Sequence, residues 1–249
     1  MTTPAATGAA SPWPSQPCPG YDGDRSERGA MRALRKFLYE NSLSVLFAGL
    51  FVVFLAGQVL VGYMDDNQTL ASHGKSAIGF GAWLGSGTFL NAMFVNWQAA
   101  LLQLAVLVLA GGILHQIGAS HSRDPKKDEQ HGGAPNNAEE AADEHRLPWL
   151  RRHSLSVALV VCFVAAFVLH VFAGISAFNE ERALSNEPAI GLGLYLVSAR
   201  FWFENFQTWE AEFIAILFFL VFSIFLREQR SAESKLLSAS DTETGETND

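Results

Sequence analysis

The chain has 249 residues and a formal net charge of -8, with 49% hydrophobic and 17% charged residues. Length alone allows one or two soluble domains, but the apolar residues are gathered into long blocks, which indicates a membrane protein. Much of the acidic charge belongs to a linker and a C-terminal tail, and the absence of a basic stripe excludes a nucleic-acid partner. Cys18 and Cys162 stand in a Pro-rich segment and an apolar block, so the sequence predicts no disulfide, metal or cofactor site.

The N-terminal segment is rich in Pro, Ala, Gly and Ser, and this composition predicts disorder. Met31 opens a second credible start, so residues 1–30 are either a translated tail or lie upstream of the true start. The chain then divides into a first membrane repeat (31–123), a charged flexible cytoplasmic linker (124–147), a second membrane repeat (148–236) and a disordered acidic tail (237–249).

Four apolar blocks are predicted to span the membrane, because about 20 helical residues cross a hydrocarbon core about 30 Å thick. The first and third blocks, 43–63 and 154–179, carry no charge. The second fits best over 94–115, since several glycines upstream favour a loop. The fourth is uncharged only over 213–226, so it must extend upstream through Glu212 and Glu210. Four glycines are interpreted as sites of close helix packing: Gly49, Gly57, Gly111 and Gly112.

The two membrane repeats align without a gap at an offset of 112 residues, with about 23 identities over about 87 pairs. Ile78-Gly79-Phe80-Gly81 faces Ile190-Gly191-Leu192-Gly193, and Trp97 faces Trp209. The sequence therefore predicts an all-α membrane protein, in which four transmembrane helices form a tandem duplication of a two-helix unit. Because each unit has an even number of spans, both insert in the same orientation, with any pseudo-twofold axis along the membrane normal.

The positions of Lys and Arg predict the orientation. Fourteen of them precede the first helix, lie between the second and third, or follow the fourth, and only Lys75, Arg182 and Arg200 lie in the two other loops. Both termini and the linker are therefore expected in the cytoplasm, in a bacterial inner membrane. Each outer loop leads into an aromatic stretch, predicted to form a short interfacial helix; a carbohydrate- or base-stacking site is the alternative.

Polar residues within the bilayer are the candidate functional residues. Helix rise places His170, Glu210 and Glu212 about 22 to 25 Å from the inner end, and Gln58 and Gln98 occupy the equivalent layer of the first repeat. The functional interpretation is a protonatable His–Glu site that binds a cation or relays a proton. The alternative, which the sequence favours, is an interhelical hydrogen bond that fixes helix register. Catalytic, cofactor and metal motifs are absent from the sequence.

The features from about residue 31 to 236 resemble an uncharacterised group of bacterial four-span membrane proteins, classed as a domain of unknown function. Three segments carry the resemblance: Phe37-Leu38-Tyr39-Glu40-Asn41-Ser42-Leu43-Ser44, Trp209-Glu210-Ala211-Glu212-Phe213, and the basic tail from Arg227 to Lys235. The first repeat departs from the family pattern, because Trp97-Gln98-Ala99-Ala100-Leu101 lacks the carboxylates and Ala119-Ser120-His121-Ser122-Arg123 is a relic of the tail. The resemblance implies membrane location and topology, and no reaction.

These observations predict a non-enzymatic inner-membrane protein with a structural, regulatory or assembly role. Its expected partners are the lipid bilayer and either further copies of itself or another membrane protein. The alternative is a small transporter or proton-coupled channel that uses His170 with Glu210 or Glu212. The inner half of every predicted helix is nearly bare of polar groups, which argues against a transport path.

Overall fold

A computed structural model describes residues 21–124 and 148–245 of the chain, and of residues 21–26 it describes only the backbone. Predictions for residues 1–20, 125–147 and 246–249 lie outside the described residues. The described regular elements are all helices: α1 (Tyr21–Glu40), α2 (Ser42–Ser72), α3 (Phe80–Leu84), α4 (Gly87–Gly111), α5 (Trp149–Arg152), α6 (Ser154–Leu184), α7 (Leu192–Leu196) and α8 (Ala199–Phe225).

The chain separates into two compact units, Met1–Leu60 and Val61–Asp249, and α2 continues from the first into the second. The described part of the first unit holds α1 and the first part of α2. Helix α1 begins within the segment predicted to be disordered. Its apolar residues Met31, Leu34 and Leu38 recur at helical spacing, and this periodicity overrides the loop-like composition that precedes it.

Four helices, α2, α4, α6 and α8, are long and apolar enough to cross a membrane, which confirms the predicted four-span all-α fold. Helix α8 extends upstream as expected, and beyond Trp209 as far as Ala199. The predicted start of the second span near Phe94 is wrong, because α4 begins at Gly87. Both helix starts are capped by a serine hydroxyl: Ser86 accepts from the backbone N–H of Phe89, and Ser198 from that of Phe201, each at 3.3 Å.

A carboxylate from another helix also stabilises the start of α4. Glu180 on α6 accepts hydrogen bonds from the backbone N–H groups of Gly87 and Thr88 at 2.9 and 3.2 Å, and from the Thr88 hydroxyl at 3.0 Å. A negative charge is favourable there because the first N–H groups of a helix have no partner within it. The glycines upstream of residue 88, interpreted from the sequence as a loop, therefore include the first residue of a helix.

Two glycines outside the four interpreted from the sequence as packing sites permit close approach, Gly87 of α4 against α6 and Gly174 of α6 against α7. A Cβ atom at Gly87 would lie 2.3 Å from the backbone nitrogen of Ala177, and one at Gly174 would lie 2.2 Å from the hydroxyl of Tyr195. By contrast, a Cβ atom at Gly49, Gly57 or Gly111 meets no described atom within 4 Å, and one at Gly112 meets only carbonyls of its own helix. Sequence identifies small residues but not which of them face another helix.

Equivalent residues of the two repeats make equivalent contacts. Asn67 binds the backbone of Ile78 through both amide atoms, at 2.7 and 3.4 Å, and Asn179 binds Ile190 in the same way at 2.9 and 3.1 Å. The corresponding contacts recur at the other ends of the repeats, where Ser122 accepts from the N–H of Gln116 and Ser234 from that of Glu228. Ser122 thus makes the same contact as Ser234 of the tail motif, although residues 119–123 of the first repeat keep little of that motif's sequence.

The sequence predicts a disordered tail from residue 237, whereas the described part of this segment, up to Gly245, makes defined contacts. The ammonium of Lys235, 3% exposed, donates to the carbonyls of Ser240, Asp241 and Glu243 at 2.9 to 3.3 Å. Gly245 donates its N–H to the carbonyl of Ala119 at 3.2 Å. An acidic, polar composition suggested disorder, but here backbone carbonyls surround a buried cation.

Candidate functional site

A continuous series of hydrogen-bonded side chains lies between α4, α6 and α8, and we call it the polar chain. Each member contacts the next through side-chain atoms. In order, its members are Trp209, Gln98, Asn205, His170, Asn91 and Glu204.

The middle of the polar chain is completely buried, since Gln98, His170 and Asn205 are each 0% exposed. Nδ1 of His170 lies 2.9 Å from Oδ1 of Asn91, and Nε2 lies 3.4 Å from Nδ2 of Asn205. The ring of His170 also stacks on Phe201, with centroids 5.6 Å apart. Both ring nitrogens and one ring face are therefore engaged.

The two ends of the polar chain determine the direction of every hydrogen bond within it. The indole N–H of Trp209 can only donate, and it donates to Oε1 of Gln98 at 3.0 Å. At the other end an ionised carboxylate can only accept, and Oε2 of Glu204 accepts from Nδ2 of Asn91 at 3.3 Å. Each member between them must then accept from the Trp209 side and donate toward Glu204.

This direction assigns the tautomer of His170. Nδ1 carries the proton and donates to Asn91, whereas Nε2 accepts from Asn205. Asn205 cannot readily reverse its amide, because Nδ2 also donates to the carbonyl of Phe201 at 2.8 Å and Oδ1 accepts from Gln98 at 3.3 Å. A second proton, on Nε2, would face the donor Nδ2 of Asn205, so the polar chain favours the neutral imidazole.

Beyond Glu204, the polar chain continues to charged residues at the end of the second unit that carries α3 and α7, here called the α3/α7 end. Oε1 of Glu204 accepts from Nε of Arg200 at 2.5 Å, and Nη2 of Arg200 lies 3.4 Å from Oε2 of Glu181. The side chains of Arg200 and Glu181 are 48% and 58% exposed, so the outer ion pair adds little stability. Glu204 is the more enclosed partner.

Of the residues predicted from sequence, the structure brings His170 and Gln98 into one network but does not add Glu210 or Glu212. Among the described residues, no hydrogen bond or ion pair joins His170 to either carboxylate, and its two ring nitrogens meet Asn91 and Asn205 instead. Gln58 lies on α2 in the first unit, where its side chain is exposed.

These partners have a geometric reason. The depths given above assume that Ser154 of α6 and Arg227 beyond the end of α8 lie at the same level. His170 and Asn205 meet although they lie about 16 and about 22 residues from those two residues, which is a mismatch of about 9 Å. Glu212 therefore lies about 10 Å along the helix from Asn205, and Glu210 lies about 140° around it.

Sequence reasoning missed three members of the polar chain, Asn91, Asn205 and Glu204. One signal was available, because Asn91 and Gln98 are seven residues apart and so share one face of a helix. The predicted span begins near residue 94, so it leaves Asn91 outside the helix, and the shared face becomes visible only when α4 begins at Gly87. Asn205 and Glu204 stand between Phe203 and Phe206, within the aromatic stretch that the sequence predicts to be a short interfacial helix.

Tyr195 on α7 lies close to the polar chain and is 1% exposed. Among the described residues its hydroxyl has no hydrogen-bond partner, and it faces Gly174. Burial, together with the nearby carboxylate of Glu204, raises the pKa of Tyr195 well above its ordinary value of 10, and Arg200 opposes this shift. At the far end of the second unit, burial and the neighbouring guanidinium of Arg227 lower the pKa of Lys235.

Comparison with known proteins places the chain in a family. A family profile described as a domain of unknown function, DUF6766, matches residues 34–246. The chain belongs to the DUF6766 family. That match covers nearly all of both repeats and the C-terminal segment that contacts Lys235. It confirms the resemblance to a family without an assigned activity. No curated protein and no solved structure is detectably similar to this DUF6766 protein.

Proposed function

We propose that this DUF6766 protein is a non-enzymatic, multi-pass protein of a bacterial inner membrane, with a structural, regulatory or assembly role. The observation that carries the proposal is the closed polar chain. Its ends are a donor and an acceptor, and each member between them is paired on both sides. Such an arrangement holds helices in register and leaves His170 without a free nitrogen for a substrate, metal or proton.

The exposed surface of the long helices supports the proposed lipid environment. Large apolar side chains such as Phe54, Phe172 and Phe222 are 51% to 70% exposed. A soluble protein rarely exposes so large an apolar area, whereas in a bilayer it faces acyl chains. We further propose that part of this area contacts further copies of the chain or another membrane protein.

A small transporter or proton-coupled channel is the second candidate function. The observation in its favour is that Asn91 connects His170 to Glu204, which puts two titratable groups one residue apart in the polar chain. Against it, amide groups do not readily transfer protons, and the hydrogen bonds of Asn205 oppose a second proton on His170.

Proton flux separates the two candidates. The purified protein is reconstituted into vesicles that enclose a pH-sensitive dye, and a pH gradient is imposed in the presence of a potassium shunt. A structural protein leaves the decay no faster than in protein-free vesicles, and His170→Gln changes nothing. Faster decay that His170→Gln abolishes, with the thermal unfolding midpoint preserved, would establish the proton-coupled function instead.

A further inference from the structure

A cleft of about 730 Å³ opens at the α3/α7 end of the second unit. Its walls come from the last turns of α2 and α6, from the loop and helix around α3, and from the first turns of α4 and α8. Thr69 and Glu181 are equivalent at the 112-residue offset, as are Thr88 and Arg200, and all four line the cleft. The cleft therefore lies between the two repeats.

The ionised residues of the cleft carry a net negative charge. Three carboxylates line it, those of Asp66, Glu180 and Glu181, against the guanidinium of Arg200. Glu180 is committed to the start of α4, and Asp66 accepts a hydrogen bond from the indole of Trp83. Arg200 binds Glu204 behind the wall at 2.5 Å and lies 3.4 Å from Glu181, so Glu204 neutralises it and the charge of Glu181 stays available to a ligand. The lining thus carries an excess of two negative charges and has no free positive group for an anion.

The remaining walls are largely apolar, and they include Leu70, Ile78, Ala177 and Leu184. Helices α2 and α6 each have 31 residues, or about 46 Å, and exceed a hydrocarbon core of about 30 Å. Their last turns therefore extend into the headgroup layer at this end, since the charged residues of both helices lie there. At this depth, a negatively charged lining beside apolar walls fits a ligand that has a positively charged group and an apolar part.

We propose that the cleft binds the ammonium group of an amphiphilic amine, with the apolar part of the ligand against Leu70, Ile78 and Leu184. Asp66 and Glu181 neutralise the ammonium charge. A hard metal cation is a poorer fit, because it requires six or more oxygen ligands, whereas most of the lining is apolar and Glu180 already binds the start of α4. This binding site goes beyond the structural role proposed above, and of the residues that line it only Asn91 belongs to the polar chain.

Two sources share this chemistry, a lipid with an ammonium headgroup and a soluble alkylamine. The probe is n-hexylammonium, titrated by calorimetry into full-length protein in a non-ionic maltoside detergent. n-Hexanol and n-hexanoate have the same apolar body without the positive charge. The ammonium should bind at least about tenfold more tightly than either, which corresponds to about 1.4 kcal/mol.

Neutral variants of the two carboxylates test the site directly. Asp66→Asn keeps an acceptor for the Trp83 indole, and Glu181→Gln alters an exposed side chain, so each should fold. Each is expected to weaken n-hexylammonium binding about tenfold. The matched control is Asp65→Asn, which removes the same charge one residue away from the cleft lining and should change affinity by less than about twofold.

Equal binding of the three probes, or unchanged binding in Glu181→Gln, would overturn the proposal even if Asp66→Asn failed to fold. Doping the micelles with phosphatidylethanolamine, against phosphatidylglycerol as control, identifies the source. Competition by the ethanolamine lipid in the wild type, lost in Glu181→Gln, supports a lipid occupant. Unchanged binding of n-hexylammonium in both lipids supports a soluble amine.

Discussion

A histidine inside a membrane helix is an obvious candidate for proton transfer, and His170 shows how neighbouring side chains decide otherwise. Its two nitrogens meet one acceptor, on Asn91, and one donor, on Asn205. That pattern fits only the neutral ring with a proton on Nδ1. The residue is thus better understood as a connector between α4 and α8 than as a group that changes charge.

Replacement of His170 should affect stability in proportion to the hydrogen bonds lost. His170→Leu leaves buried amides of Asn91 and Asn205 each short of one partner, so we expect a loss of about 2 to 4 kcal/mol. His170→Gln keeps a donor and an acceptor and should cost less, about 1 kcal/mol. Unfolding midpoints in detergent measure both. Leu169→Val, next in sequence and 47% exposed, is the control. Equal stability of the wild type and His170→Leu would contradict the role of the polar chain.

Tyr195 predicts an alkaline weakening of the fold. Burial and Glu204 raise the pKa of its phenol in the native state, so the stability it contributes is complete below about pH 10 and declines as pH rises above that value. The melting temperature should therefore fall more steeply between pH 8 and 11.5 for the wild type than for Tyr195→Phe. Tyr39→Phe, at an 85% exposed position, should follow the wild type. Parallel curves for the wild type and Tyr195→Phe would refute the shift.

At the scale of elements, the contact between α4 and α6 depends on a short approach at the α3/α7 end. There Gly87 lies against the backbone of Ser176 and Ala177, and Glu180 caps the same turn. The backbone of α6 cannot move aside as the end of a flexible side chain can. The start of α4 is therefore held by shape and by charge at once.

A methyl group at Gly87 should separate these helices. Gly87→Ala puts a Cβ atom 2.3 Å from the nitrogen of Ala177, and we expect a loss of about 1 to 3 kcal/mol in unfolding free energy. Gly111→Ala, in the same helix but with no described atom within 4 Å of its Cβ, should change stability by less than about 1 kcal/mol. Chemical denaturation in mixed micelles measures both variants, and equal losses would argue against close packing at Gly87.

The all-α fold and its four long apolar helices could be predicted because they depend on the length and composition of the apolar blocks. Helix starts could not, since Gly87 begins a helix through Glu180, which is 93 residues away in sequence. The partners of His170 also could not, because the sequence does not show how α6 and α8 are placed along and around their axes relative to each other, and this placement brings Asn205 to His170. Contacts such as Asn67–Ile78 and Asn179–Ile190 recur in both repeats, as the offset suggested.

For the whole molecule, the arrangement across the membrane stays a prediction based on 14 Lys and Arg residues against 3. Single cysteines at Ser185 and Gln130, in a background without Cys18 and Cys162, report it in intact cells treated with a membrane-impermeant maleimide. With both termini in the cytoplasm, Ser185 is labelled and Gln130 is protected until the cells are lysed. The reverse pattern would overturn the orientation. A half-turn that relates the two repeats also stays a prediction.

The polar chain takes Asn91 and Gln98 from the first repeat and His170, Glu204, Asn205 and Trp209 from the second. The partners cannot be exchanged between the repeats, because the position equivalent to Asn91 in the second repeat is Phe203 and the position equivalent to Asn205 in the first repeat is Met93. Two copies of either half could therefore not rebuild the network as a symmetric pair. Divergence of the two repeats has therefore made each half depend on the other. When the halves are expressed as separate chains, we expect a folded protein only where the two different halves are expressed together.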